Sequence, residues 1–293
     1  MASRPPQGAA SLALGTVQFG LDYGVSNRTG QVPEARAREI LGAAHSAGVD
    51  LVDTAAAYGD AELLLARLLR ETSGIRVVTK APKVVNGDVD AALAVARRSA
   101  DLFGAERLEA ILLHSAADLR AHGDALWSGL GALREEGLTP RIGFSAYADD
   151  GPLALAERYR PDVVQVAASV FDQRLVASGQ IAGMAELGVQ VHVRSVFLQG
   201  LTFISPTELP AGLRDAAPGL ERWRQFLAKN QVSPAHAAID FARTLDGAAR
   251  LVVGVTMPAE LTEIIQMVEA RPLDLDYSEL AMNDPMILDP WRW

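Results

Sequence analysis

The stretch VDLVDTAAAYGDAELLLARLLRETSGIRVVTK, residues 49–80, contains one full repeat of the pattern that decides the fold. Two short aliphatic runs, Val49–Thr54 and Arg76–Lys80, flank an amphipathic stretch, Ala61–Glu71. Near-continuous apolar runs are typical of buried parallel strands. Apolar residues spaced three and four apart indicate a helix. The segment therefore predicts a strand, a helix and a second strand parallel to the first.

The same alternation continues on both sides of this segment. Strands are predicted at Leu12–Phe19, Val49–Thr54, Arg76–Lys80, Leu108–His114, Arg141–Ser145, Val163–Ala167, Val189–Ser195 and Leu251–Val255. Helices are predicted at Glu34–Ala47, Ala61–Glu71, Val89–Phe103, Asp124–Glu136, Leu153–Tyr159, Leu175–Leu187, Pro234–Leu245 and Pro258–Val268. Eight strand–helix units need roughly 250 residues as a closed (β/α)₈ TIM barrel. The 293 residues thus predict a single barrel domain, 1–293, with 271–293 as a C-terminal tail over the barrel.

Composition narrows the classes of function. The net charge of −9 argues against a surface for nucleic acid or anionic membrane. The chain contains no cysteine, which excludes disulfides and cysteine metal sites, and its histidines show no metal-ligand spacing. We find neither a signal peptide at Met1–Gly8 nor an apolar run of roughly 20 residues, the length that spans a bilayer. We therefore expect a cytoplasmic protein without a metal and without a nucleic-acid or membrane partner.

Four ionisable residues follow the predicted second, third and fourth strands. Asp53, Lys80 and His114 end these strands, and Tyr58 lies in the loop after Asp53. Alone, each residue has an ordinary interpretation as a cap, a core residue or a solvated charge. Together they predict a catalytic site, because the active sites of such barrels lie at the C-terminal ends of the strands.

These residue types suit the reduction of a carbonyl group. Tyr58 can protonate the oxygen as the carbonyl carbon accepts hydride, but a free tyrosine has a pKa near ~10. A neighbouring cation favours the phenolate, so Lys80 is expected to lower the pKa of Tyr58. Asp53 would hold Lys80 in place, and His114 would donate a hydrogen bond to the carbonyl oxygen.

The motifs together resemble the aldo-keto reductase superfamily over nearly the whole chain. The matching segments are LALGTVQFG (12–20), DTAAAYGDAE (53–62), VVTK (77–80) and LLHS (112–115). The resemblance implies that Asp53, Tyr58, Lys80 and His114 form the catalytic tetrad. It also implies an oxidoreductase that transfers hydride between a nicotinamide dinucleotide and a carbonyl or alcohol.

Further segments resemble the parts of the family that bind the cofactor. In IGFSAY (142–147) and VQVAASVFDQR (164–174), Ser145 and Gln165 would face the nicotinamide carboxamide, but Ala146 replaces the usual Asn. In VRSVFLQGL (193–201), Arg194 replaces an aromatic residue that usually stacks on the nicotinamide. The residues that the resemblance assigns to the cofactor are Gly15, Thr16, Ser145, Gln165, Arg194, Ser195, Phe197, Gly200, Gly254, Thr256 and Glu260.

The segment VVGVTMPAELTEII, residues 252–265, resembles the part of the family that closes over the adenosine half. Met257 and Glu260 stand where relatives that prefer NADPH often carry basic residues. A carboxylate repels the 2′-phosphate and can accept hydrogen bonds from ribose hydroxyls. The cofactor is thus predicted to be NAD(H) or NADP(H) with NAD(H) favoured, unless Arg243 or Arg250 reaches the phosphate.

Substrate choice is expected to lie in the loops Leu21–Val32, Ser115–Gly123 and Phe197–Gly219, with Phe19, Tyr23 and Gln199 as contacts. Polar residues in these loops favour a hydroxylated, sugar-like carbonyl compound. The segments GTVQFGLDYG (15–24) and ILDPWRW (287–293) resemble a bacterial subgroup associated with surface-polysaccharide or sugar-derivative pathways. Trp291 and Trp293 would either pack the tail down or roof the pocket.

Two other functions stay open on the sequence. The chain could keep the cofactor pocket and serve as a sensing or interaction subunit with little turnover. It could also be a different barrel enzyme, such as an isomerase that uses Lys80 or His114 as a base. The complete set of four residues favours the oxidoreductase, and the oligomeric state is left open.

Overall fold

A computed structural model describes residues 8–293 and confirms the predicted (β/α)₈ barrel. Neighbouring strands are parallel and hydrogen-bonded in chain order, and the last strand pairs with the first. The strands are β1 Leu12–Gly15, β2 Leu51–Asp53, β3 Arg76–Ala81, β4 Leu108–Leu113, β5 Ile142–Ala146, β6 Val163–Ala167, β7 Gln190–Arg194 and β8 Ala248–Gly254.

Helices surround the barrel and follow the predicted positions closely. They are α1 Val17–Gly20, α2 Glu34–Ser46, α3 Ala61–Leu68, α4 Val89–Phe103, α5 Ala117–Glu135, α6 Pro152–Tyr159, α7 Arg174–Ala177, α8 Gln180–Glu186, α9 Ala217–Asn230, α10 Pro234–Arg243, α11 Pro258–Glu269 and α12 Pro285–Leu288. The helix predicted at Leu175–Leu187 is two helices, because Gly179 between them adopts a positive φ of 69°.

Other elements also differ from the sequence prediction. Helix α5 begins at Ala117 and not at Asp124, because a kink at His122 joins an extra N-terminal part to the predicted helix, so α5 runs through most of the loop predicted at Ser115–Gly123. The first strand ends at Gly15 and not at Phe19, because the amide of Thr16 bonds to the carbonyl of Asp53 and the chain then turns into α1. Helix α9 has no predicted counterpart. It buries only Gly219, Leu220 and Trp223, so its apolar pattern is weak.

The inside of the barrel is a packed core below the site. Ala13, Leu51, Val78, Ala110, Leu112, Val163 and Val252 form one buried cluster there. At the opposite end of the barrel, Asp50 and Glu109 bond to Arg76, Arg141 and Arg250. The apolar core separates this ion network from the C-terminal ends of the strands, so Arg250 points away from the predicted cofactor site.

The last residues of the chain return to the barrel. The amide of Met282 bonds to the carbonyl of Phe171 at 2.8 Å, and the Tyr277 hydroxyl donates to Asp240 at 2.9 Å. Asp289 is buried and accepts from Arg174 at 2.8 Å. Within residues 8–293, no helix has the length and apolar character to cross a membrane. The predicted lack of a signal peptide concerns residues 1–8, of which 1–7 lie outside the described residues.

Candidate active site

A cleft of about 1270 Å³ opens at the C-terminal ends of the strands. Each strand contributes to the lining of the cleft with a residue at its C-terminal end or within two positions of it. These residues are Gly15, Asp53, Lys80, His114, Ser145, Gln165, Arg194 and Gly254. The barrel therefore brings together residues that are distant in sequence.

A buried ion pair forms the floor of the cleft. The Lys80 ammonium donates to both carboxylate oxygens of Asp53 at 2.8 Å and to the carbonyl of Thr54 at 2.9 Å. Lys80 is only 1% exposed. Burial lowers the pKa of Lys80, and the Asp53 carboxylate opposes this effect. Three acceptors satisfy the ammonium, so its position is fixed.

Tyr58 lies above this pair on the loop between β2 and α3. Its ring centroid is 5.3 Å from the Lys80 ammonium and 5.7 Å from the centroid of His114. The loop depends on Gly20, where a Cβ atom would lie 1.8 Å from the Tyr58 carbonyl oxygen. This close approach of two backbones fixes where Tyr58 leaves the barrel.

Burial raises the pKa of Tyr58, and the Asp53 charge raises it further. Arg194 is the cation that lowers this pKa. The prediction named Lys80 alone for that role, but Asp53 largely neutralises Lys80. From the sequence, Arg194 was predicted only to stack on the nicotinamide. The positive charge of its side chain is the feature from which the effect on Tyr58 could have been predicted.

His114 is neutral in this site. Burial lowers its pKa to about 3, and Lys80, Arg194 and Lys83 add to the effect. A neutral imidazole keeps one N–H donor and one acceptor nitrogen. His114 can therefore donate a hydrogen bond to a carbonyl oxygen without carrying charge.

The side-chain amide of Gln165 indicates where a polar group of a ligand could bind. Gln165 donates to Asp53 at 2.7 Å, while its Oε1 is buried with no partner among the described residues. Ser145 lies beside Gln165 in register and accepts a bond from Arg194, so its own hydroxyl proton stays available. An acceptor next to a donor matches the amide N–H and the carbonyl oxygen of a carboxamide.

Arg194 is held by several partners at the end of β7. It donates to Ser145 Oγ at 3.2 Å, to Ser195 Oγ at 3.1 Å and to the Ala146 carbonyl at 3.4 Å. Its guanidinium carbon lies 4.3 Å from the ring centroid of Tyr147. No role for Tyr147 followed from the sequence, although the segment IGFSAY contains this residue.

The loop after β7 has an unusual backbone and closes one side of the cleft. Ser195, Leu198 and Gln199 adopt positive φ angles of 61°, 43° and 51°. The amide of Val25 bonds to the Gln199 carbonyl at 2.9 Å and joins this loop to the loop after β1. Ser195, Phe197, Gln199, Gly200, Thr16 and Tyr23 all line the cleft.

Phe19 corrects one prediction. It was expected to contact the substrate, but its side chain is 0% exposed and packs in the hydrophobic core. The reason is the early end of β1, since α1 turns this side chain inward. Tyr23 follows α1 and lies in the cleft instead.

The far end of the cleft is built by the start of α11. Glu260 accepts from the amides of Thr256 at 2.7 Å and Met257 at 3.1 Å, which caps the helix. Glu260 and Glu263 line the cleft, whereas α11 contributes no basic residue to it. Arg243 bonds to Asp240 and to carbonyls at the end of α11, so it does not reach this place.

The two C-terminal tryptophans have different surroundings. Trp291 is 57% exposed, lines the cleft and stacks against Arg292 at 4.1 Å. Trp293 packs against the core, and its indole N–H donates to the Ile287 carbonyl at 3.2 Å. Only Trp291 is placed to meet a bound molecule.

Comparison with known proteins agrees with this architecture. A sequence profile of the aldo/keto reductase family matches residues 11–281. A Pseudomonas aeruginosa structure assigned as an aldo-keto reductase is 24% identical, with a TM-score of 0.66, over 90% of this chain and 93% of that one. The holo form of aldo-keto reductase AKR11C1 from Bacillus halodurans is 19% identical, with a TM-score of 0.73, over 95% and 96%. No curated protein matches this chain. The structural likenesses show the fold.

Proposed function

Because this chain belongs to the aldo/keto reductase family, an oxidoreductase family, we propose that it transfers hydride between a nicotinamide dinucleotide and a carbonyl or alcohol, with Tyr58 as the general acid and base. The observation that carries the proposal is the convergence of Tyr58, His114 and the Lys80–Asp53 pair on one wall of the cleft. Proton donors and a buried cation meet there, as the reduction of a carbonyl requires.

Each residue of this wall has a distinct task. Tyr58 stays protonated near neutral pH, since burial raises its pKa, and it gives its proton to the carbonyl oxygen during reduction. Neutral His114 donates a hydrogen bond to the same oxygen and positions it. Lys80 and Arg194 stabilise the phenolate that Tyr58 leaves behind, and Asp53 orients Lys80.

The residues present fit a nicotinamide dinucleotide. When bound, this cofactor supplies or accepts the hydride. Gln165 Oε1 would accept from the carboxamide N–H, and the Ser145 hydroxyl would donate to the carboxamide oxygen. Arg194 would thereby compensate for the missing Asn at position 146, because it fixes Ser145 as a donor. The remaining residues proposed for the cofactor are Gly15, Thr16, Ser195, Phe197, Gly200, Gly254, Thr256 and Glu260.

NAD(H) is the proposed preferred cofactor. Glu260 accepts from the amides of Thr256 and Met257 immediately before α11, so these two donors are not available to a phosphate. Its carboxylate also repels a 2′-phosphate, which needs a charge-assisted partner. Dissociation constants for NADH and NADPH at one ionic strength test this preference. NADPH binding tenfold tighter or more would overturn it.

A hydroxylated, sugar-like carbonyl is the proposed substrate. Polar side chains that line the cleft include Tyr23, Asn27, Arg28 and Gln199. In this proposal, residues 271–293 form a C-terminal tail over the barrel, and Trp291 of this tail contacts the substrate. A strong preference for unsubstituted aliphatic or aromatic aldehydes over sugars would contradict this substrate class.

The direct test of the activity is the loss of reduced-nicotinamide absorbance with a panel of carbonyl compounds. The panel includes aldoses, hydroxyaldehydes and plain aldehydes with matched carbon number. Carbonyl-dependent oxidation of NADH or NADPH is the expected result. Cofactor binding without turnover of any member would favour the sensing subunit instead.

A further inference from the structure

Two cations, Lys80 and Arg194, lie in the floor of the cleft, and they differ in whether a carboxylate neutralises them. Lys80 is paired with the Asp53 carboxylate at 2.8 Å. Arg194 has no carboxylate within 4.0 Å among residues 8–293, since its polar partners are two hydroxyls and a carbonyl. The floor therefore carries one positive charge without a protein counter-charge.

The proposed cofactor site places the nicotinamide next to this charge. Its carboxamide would bond to Ser145 and Gln165, and Arg194 itself bonds to Ser145. The reacting carbon must face the carbonyl group held by Tyr58 and His114. Arg194 lines the same cleft as Tyr58 and His114, and its charge acts on both of them.

The two oxidation states of a nicotinamide differ in charge. The ring is neutral when reduced and carries one positive charge when oxidised. A guanidinium plane stacks readily on a flat ring, so a neutral ring is accepted at little cost. A cationic ring is repelled, and the repulsion is stronger in a site shielded from water than in bulk solvent.

We infer that Arg194 makes this cleft discriminate between the oxidation states of its cofactor, so that the reduced dinucleotide binds more tightly than the oxidised one. This inference rests on the proposed function. Selective binding would let the cleft take up NADH from a mixed pool and release NAD⁺ readily. The same charge makes the bound NADH a weaker reductant, so the inference concerns which form occupies the cleft and not the direction of the hydride-transfer step. The charge of Arg194, and not its shape alone, is the cause.

Equilibrium binding tests the inference without turnover. Dissociation constants of NADH and NAD⁺ would be measured by calorimetry at pH 7 and one ionic strength, for wild type, Arg194→Gln and Arg194→Lys. For wild type we expect NADH to bind about tenfold more tightly or better, given the strength of like-charge repulsion in proteins. Arg194→Gln should remove most of this difference, chiefly by improving the binding of NAD⁺. Arg194→Lys should keep the difference, although both forms bind less well.

The control is Arg120→Gln, because Arg120 also lines the cleft but is paired with Asp150 at 3.6 Å. Its ratio of dissociation constants should match wild type. Equal affinities in wild type would overturn the inference, and so would an unchanged ratio in Arg194→Gln. If Arg194→Gln does not fold, loss of the difference in Arg194→Lys would contradict the role of charge. Failure of both NADH and NAD⁺ to bind wild type, with the NADPH pair also negative, would refute the proposed function itself.

Discussion

The two ends of the cleft are built in different ways. At the carbonyl end, Asp53, Lys80 and His114 leave three adjacent strands, and the ion pair is nearly inaccessible to water. At the far end, Glu260 belongs to the first turn of α11, is exposed and bonds only to its own helix start. The carbonyl end thus depends on contacts between several strands of the barrel, whereas the far end depends on the N-terminal cap of one helix.

The two ends of the cleft should therefore tolerate substitutions differently. A substitution at the carbonyl end disturbs buried charges that depend on one another, so its effect on turnover should be large. A substitution at the start of α11 alters one exposed carboxylate and should change selectivity while leaving the chemistry intact.

Among the substitutions considered, Tyr58→Phe at the carbonyl end should lower turnover most. Removing the hydroxyl that is proposed to protonate the carbonyl oxygen should lower turnover by ~10²–10⁴-fold. The dissociation constant of NADH should stay within about twofold, because the phenyl ring still packs there. Tyr147→Phe is the matched control and should lose far less. Turnover of Tyr58→Phe at the wild-type level would refute the role of Tyr58.

Lys80→Met tests the ion pair beneath Tyr58. The substitution removes a cation and leaves the Asp53 carboxylate uncompensated, and that carboxylate raises the pKa of Tyr58. The phenolate that acts as base then forms only at higher pH. We expect a loss of about a hundredfold, typical of a disrupted acid–base site, and an alkaline shift in the pH profile of alcohol oxidation. An unchanged profile in the remaining activity would show that Lys80 does not tune Tyr58.

Glu260→Arg tests the far end alone. Replacing the carboxylate by a guanidinium should shift the ratio of the NADPH and NADH dissociation constants by about tenfold toward NADPH, or about 1.4 kcal/mol. The turnover number with saturating cofactor should change little. Glu260→Gln is the matched control, since it keeps a capping oxygen but removes the charge. If the ratio of the two dissociation constants is unchanged in Glu260→Arg, Glu260 acts only as a helix cap and does not select the cofactor.

The two tryptophans of the tail provide the smallest expected effect. Trp291→Ala should raise KM for a hydroxylated substrate a few-fold and leave Tm unchanged, because its side chain is exposed beside the cleft. Trp293→Ala should lower Tm and leave KM unchanged, because it packs on the core. The reverse pattern would show that Trp291 only holds the tail.

Much of the fold followed from the sequence. The alternation of aliphatic runs with amphipathic stretches predicted β6 at Val163–Ala167 and α4 at Val89–Phe103 with their observed bounds. Helix α9 escaped prediction because it covers the barrel with few apolar residues. A hydrophobic pattern in the sequence reveals a helix that buries a continuous apolar face, and α9 has no such face.

The amino-acid sequence predicted that Asp53, Lys80 and His114 follow neighbouring strands to one rim, because a parallel barrel brings successive strand ends to the same edge. It also predicted that Asp53 holds Lys80, and the ion pair is present. The burial of Phe19 in the core and the lack of a carboxylate beside Arg194 among residues 8–293 became visible only in the folded barrel. The physical reason is that charge pairing and burial depend on distances across the barrel, between residues such as Asp53 and Gln165 that are 112 positions apart. No local pattern records such distances.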